Sequence, residues 1–90
     1  MIEARGVNHI GIAVRSLDDQ LEYYRDVLGA DYEGVEEVPE QRVRVAFFAL
    51  GAGDTKVRLE LLEPTDGDSP VAKFIENRGE GVHHVAYTVS

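Results

Sequence analysis

Cysteine and tryptophan are both absent from the 90-residue sequence. Without cysteine, disulfides and thiolate metal sites are excluded, which fits a reducing compartment. Long apolar runs are missing too. No stretch approaches the roughly 18–20 residues that a membrane span needs, and Met1-Ile2-Glu3-Ala4-Arg5 leads into no signal-peptide core. Positive charge is scarce: nine Lys and Arg against seventeen Asp and Glu leave a formal net charge of −8, which repels phosphate backbones. The acids are spread along the chain rather than gathered in a tail, as on a solvated surface that resists aggregation. These absences predict a soluble, cytoplasmic protein with no nucleic-acid and no membrane partner.

What is present fits one globular domain, with 43% hydrophobic and 29% charged residues. A chain this short buries only about 60–65% of its unfolded surface, so a metal ion or a second chain would add useful stability.

Along the chain, Gly6 to Val14 alternates, with Ile10, Ile12 and Val14 on one face and Val7, His9, Gly11 and Ala13 on the other, the pattern of a strand. Ser16 offers an N-cap with Asp19 three residues on, Leu17, Leu21, Tyr24 and Leu28 recur at helical spacing, and Gly29 closes that helix. Ala30 to Val38 is polar and ambiguous, consistent with a short strand running into a turn at Pro39. Val43 to Leu50 is a strand, Gly51-Ala52-Gly53-Asp54 a turn, and Thr55 to Leu62 a strand with Val57, Leu59 and Leu61 on one side and Arg58, Glu60 and Leu62 on the other. After a loop, Ser69 as N-cap and Pro70 at the first helical position begin a short helix through Val71, Phe74 and Ile75 that ends around Asn77–Gly81. Val82 to Val89 is a last strand. The order is β-α-β-β-β, then a helix and a strand.

The last strand echoes the first. Val7 matches Val82, His9 matches His84, Ile10 matches Val85, Gly11 matches Ala86 and Val14 matches Val89, all at an offset of 75. Each histidine is followed two residues later by a residue with almost no side chain, a gap that leaves room for an ion. A lone histidine is ordinarily a half-buried ring satisfied by a carbonyl. Two at repeat-related positions, with Glu60 as a carboxylate that burial would leave in need of a cation, point instead to an open metal site suited to Fe, Mn, Co or Zn. The metal candidates are His9, Glu60 and His84. By strand alternation His83 faces away from His84 and is excluded as a ligand of the same ion. Gln41 is the candidate substrate contact, against the ordinary role of a turn residue; Arg42 and Arg44 either meet an anionic substrate or balance nearby carboxylates. Tyr23 and Tyr24 read as core and boundary residues. No nucleophilic triad, phosphate loop or dinucleotide fingerprint occurs.

Val7-Asn8-His9-Ile10-Gly11-Ile12-Ala13-Val14, Tyr23-Tyr24-Arg25-Asp26-Val27-Leu28-Gly29, Leu59-Glu60-Leu61-Leu62-Glu63-Pro64 and Gly81-Val82-His83-His84-Val85-Ala86-Tyr87 together resemble the vicinal oxygen chelate superfamily of glyoxalases, bleomycin resistance proteins and dioxygenases. Ser69-Pro70-Val71-Ala72-Lys73-Phe74 leading into the His-His strand resembles the methylmalonyl-CoA epimerases more than glyoxalase I or the extradiol dioxygenases.

The resemblance implies an α+β fold of βαβββ modules with a curled mixed sheet around a divalent metal (Co, Mn, Zn, Ni or Fe). Residues 1–66 would be one module and residues 67–90 a connecting helix plus the first strand of a second, incomplete one. His9, Glu60 and His84 would be metal ligands, with a fourth, a glutamate, beyond Ser90. The implied activity is epimerisation of an acyl-CoA substrate by α-proton transfer through a metal-stabilised enediolate, impaired in so short a chain. Some epimerases carry a glutamate in the third strand; Val43-Arg44-Val45-Ala46-Phe47 has none, so no catalytic base is assigned. The alternatives are another glyoxalase-type metalloenzyme, or a non-catalytic half-module that binds a metal or small ligand. An unfinished sheet edge predicts a homodimer formed by strand pairing or exchange.

Overall fold

The computed structural model describes residues 2–90. It contains β1 (Ala4–Ala13), α1 (Leu17–Glu22), β2 (Asp31–Val38), β3 (Val43–Leu50), β4 (Val57–Pro64), α2 (Pro70–Arg78) and β5 (Gly81–Val89). This is the expected order, and the fold is α+β. The strands form one mixed sheet in the order β2-β3-β4-β1-β5. β1 runs parallel to β4, and every other neighbouring pair is antiparallel. No helix among the described residues is long and apolar enough to cross a membrane.

The helix starts follow their capping residues. Ser16 Oγ accepts from the Asp19 N–H at 3.3 Å, and the fully buried Ser69 accepts from the Val71 N–H at 3.1 Å with Pro70 behind it. The first helix departs from its periodicity. After Glu22 it widens into a π-helical turn over Tyr23–Val27, where the Leu28 N–H reaches back five residues to the Tyr23 carbonyl at 3.0 Å. The wider turn rotates Leu28 off the stripe of Leu17, Leu21 and Tyr24, and it is left 44% exposed. Gly29 then supplies the positive φ of 69° that stops the helix. The polar segment before Pro39 is a full strand, β2. The turn after β3 extends to Thr55, so β4 begins two residues later than its alternation implied.

Both faces of the sheet are apolar. On one, α1 covers Val14, Ala46, Phe48, Leu59 and Leu61, with Ile10, Ile12 and Tyr24 packed around them. On the other, α2 places Val71 and Ile75 against Ala13, Val43, Val45 and Leu62. Glu60 therefore does not lie on a polar outer face: it shares a side of β4 with buried Leu62, under the α2 layer. The fully buried Leu61 packs in the α1 layer. We predict that Leu61→Ala destabilises the chain by about 3 kcal/mol, because the site cannot fully collapse onto the void; urea unfolding monitored by circular dichroism measures it.

Candidate metal centre

The site begins with a register. In the β1–β5 ladder Ile10 stands opposite Val85, so the two residues that match in the sequence echo are also partners in space. An antiparallel pair centred on equivalent residues has local two-fold symmetry. It sets His9 opposite Ala86 and, symmetrically, Gly11 opposite His84. Each small residue is thus the cross-strand partner of the other strand's histidine. At Gly11 the gap is fully used: an added Cβ would come within 2.6 Å of His84 Nδ1 and 2.7 Å of Nε2. Gly11 is also the β1 partner of Glu60 in the parallel ladder. Glu60, Gly11 and His84 therefore form one row across three strands, with an empty middle over which a carboxylate and an imidazole lean together.

One donor atom from each of His9, Glu60 and His84 lies within 4.8 Å of the other two, and all three residues are half-buried. His9 Nδ1 is 3.7 Å from Glu60 Oε2, and the His9 and His84 rings meet edge to face at 5.3 Å. Donors held by one ion at metal–ligand distances of about 2.0–2.2 Å are separated by no more than about 4.4 Å, so the cluster needs only a small contraction to close. Two imidazoles and a carboxylate suit a divalent transition ion and leave coordination positions open. Arg58, two residues before Glu60 on β4, pairs with Glu33 at 3.3 Å and lies over the Phe47 ring.

His83 does not face away from His84. The ladder slips between Gly11 and Ile12, so Gly11 pairs with His84, Ile12 pairs with Val82, and His83 is the extra residue. Such a bulge abolishes strict alternation, and the two Nδ1 atoms lie 2.9 Å apart. Burial, reinforced by the neighbouring His84, lowers the His83 pKa from its ordinary value and favours the neutral ring. Its other neighbour is the Phe74 ring of α2 at 5.0 Å.

Glu60, His83 and His84 line a cavity of about 500 Å³ whose apolar walls include Val38, Val43, Val45 and Phe47. Gln41 also lines it, beside Glu40, in the 3₁₀ turn Pro39–Gln41 that Arg42 ends with a positive φ of 56°. Glu40 escaped the sequence reading because nothing in its spacing separates it from an ordinary turn acid. Arg42 and Arg44 are engaged by carboxylates, Arg42 with Asp66 and Asp68, and Arg44 with Glu63 at 3.0 Å.

The profile of the Glyoxalase/Bleomycin resistance protein/Dioxygenase superfamily matches residues 8–90. The chain belongs to that superfamily. Within it, the chain is 48% identical over 81 residues to the uncharacterized protein YqjC of Bacillus subtilis, covering 90% of this chain and 55% of that one. It is 40% identical over 84 residues to the mitochondrial methylmalonyl-CoA epimerase of Mus musculus, covering 92% and 45% respectively. A solved structure of a variant Streptomyces coelicolor methylmalonyl-CoA epimerase, in complex with 2-nitronate-propionyl-CoA, superposes with a TM-score of 0.84 at 39% identity, over 94% of this chain and 62% of that one. The chain thus spans about half the length of the curated relatives it matches.

If the empty row at Gly11 positions His84, filling it will push the imidazole away. Gly11→Ala is expected to weaken Co(II) binding by about tenfold or more, within the range seen when the support of a ligand is lost, and isothermal titration calorimetry on the metal-free protein measures it.

Proposed function

We propose that this chain carries the metal centre of an acyl-CoA epimerase that interconverts the two epimers of methylmalonyl-CoA. The observation that carries the reading is the convergence of His9, Glu60 and His84 beside an apolar cavity, in a chain whose relatives include methylmalonyl-CoA epimerases. The cavity is of a size that encloses a small acyl group.

Epimerisation removes a proton from a carbon between a carboxylate and a thioester carbonyl and returns it on the opposite face. His9, Glu60 and His84 would hold a divalent ion, and the chemistry it would supply is Lewis-acid stabilisation where negative charge develops on the substrate oxygens. The protein's own groups do the rest. Val38, Val43, Val45 and Phe47 present apolar surface to the acyl group. Gln41 offers an amide that donates to a substrate oxygen. Glu40 is the cavity carboxylate outside the ligand cluster, and we assign it the transfer of the α-proton.

β5 is the outer strand of the sheet, and Val82, Val85, Tyr87 and Val89 along it are 40–61% exposed. An apolar edge of this kind invites pairing, and the reading includes a homodimer joined along β5. Sedimentation equilibrium should give twice the 10.0 kDa chain mass, and Val85→Lys should return the monomer; a wild-type monomer at high concentration contradicts the dimer.

The enzymatic reading is tested by deuterium incorporation at the α-carbon of methylmalonyl-CoA in D₂O, followed by mass spectrometry. Exchange should require added Co(II) or Mn(II) and stop with EDTA, and Glu40→Gln should lower its rate by about 10²–10⁴ while leaving metal affinity unchanged. Absence of exchange with every divalent ion tried overturns the epimerase reading, and full exchange by Glu40→Gln overturns the assignment of the base.

A further inference from the structure

In a regular strand, consecutive side chains leave opposite faces, so the residue before a ligand histidine should not reach its ring. The β1–β5 ladder shifts register three times, and two of the shifts, beyond the one between Ala4 and Gly6, break that rule beside the histidines. Its register slips between Val7 and His9, which leaves Asn8 as an extra residue on β1, and between Gly11 and Ile12, which leaves His83 as the extra residue on β5. Asn8 and His83 are separated by the same offset of 75 as His9 and His84, so the two bulges are mates under the local two-fold. Each re-aims its side chain onto the histidine that follows. Asn8 Oδ1 lies 2.9 Å from His9 Nδ1, and His83 Nδ1 lies 2.9 Å from His84 Nδ1.

We propose that Asn8 and His83 are paired positioning residues, each accepting the Nδ1 proton of the following histidine so that His9 and His84 offer Nε2 to the metal. A neutral imidazole has one N–H and one lone pair. An amide oxygen only accepts, and at 2.9 Å it lies nearer His9 Nδ1 than Glu60 Oε2 does at 3.7 Å, so the Asn8 contact places the His9 proton on Nδ1, and Nε2 is the nitrogen that must turn to the ion when the site is loaded. Between His83 and His84 either ring can donate. If His83 donates, His84 Nδ1 is spent as the acceptor and its proton sits on Nε2, leaving nothing to ligate with. Metal binding is therefore compatible with the other tautomer alone, in which His84 donates and His83 keeps its proton on Nε2. The His83 ring is braced against Phe74, which in turn lies under the Arg78 guanidinium at 5.7 Å. Hydrogen bonds to the non-ligating nitrogen fix ring orientation and raise ligand basicity.

The consequence for metal binding rests on the metal-centre reading; the hydrogen-bond pattern does not. Long-range ¹H–¹⁵N spectra of the full chain report imidazole tautomers directly. Metal-free protein at neutral pH should show His9 protonated at Nδ1, and Zn(II) should leave both His9 and His84 protonated at Nδ1 and coordinated through Nε2. Co(II) titrations followed by visible absorption should show binding weakened about 10–100-fold in Asn8→Ala and in His83→Ala. Asn8→Asp and His83→Asn, which restore an acceptor oxygen, should recover most of it. Coordination through Nδ1, or alanine variants that bind Co(II) as tightly as wild type, overturns the proposal. A loss that neither acceptor variant recovers also overturns it, since packing alone would then explain the loss. Failure of the wild-type protein to bind either metal overturns the metal-centre reading instead, and the metal-free His9 tautomer still decides the Asn8 hydrogen bond.

Discussion

The His9–Glu60–His84 cluster depends on which residue of β1 stands opposite which residue of β5. With Ile10 facing Val85, the two histidines fall diagonally across the ladder, each beside the other strand's small residue. A slip of one residue would send His84 to the opposite side of the sheet, because side chains alternate with a period of two. That register also brings Gly11 between Glu60 and His84, and it fixes where the two bulges occur. No single ligand position is unusual by itself. The centre comes from pairing two similar strands head to tail on the flank of a parallel β1–β4 pair.

Around that ladder, a few polar contacts join the ends of the elements. Glu63, at the end of β4, accepts from the Leu17 N–H at 2.9 Å through one oxygen and from Arg44 at 3.0 Å through the other. It is mostly buried, so both bonds count for more than their exposed counterparts. One carboxylate thereby ties β4 to the entry of α1 and to β3, across the connection between the parallel strands. Glu80 does the same more loosely at the start of β5, accepting from the Arg15 N–H at 2.7 Å. Both contacts bind the ends of the strands that carry Glu60 and His84.

Much of this was legible in the sequence because the relevant signals are local. The strand Val43–Leu50 was legible over its full span, Ser16 and Ser69 announced the helices, and the repeat of Val-x-His-(Ile/Val) singled out His9 and His84. Glu60 drew notice as a carboxylate in need of a cation, but its setting was not legible: its side of β4 is apolar and covered by α2, which a period-two pattern cannot distinguish from a solvent face when Leu62 is its only neighbour of that kind. The rest depended on single-residue slips. Leu28 left its stripe because a π turn inserts one residue, and His83 turned toward His84 because a bulge does. Such insertions are decided by tertiary packing and pairing, and leave no mark in hydrophobic periodicity. Asn8 and Glu40 went unnoticed because asparagine before a strand histidine and glutamate after proline are common wherever chains turn or pair.

The sheet's two faces carry unequal duties. The α1 side, built from Phe48, Leu59, Leu61 and Leu17, is closed and apolar, whereas the α2 side lends Val43, Val45, Phe47 and Leu62 both to its own packing and to the walls of the cavity. A change of ligand preference must therefore be written in residues that also hold α2 in place, and each such change draws on the stability held by the other face. The close packing of the α1 layer is thus the reserve on which divergence of the cavity depends, because its contribution to stability is independent of the cavity's shape.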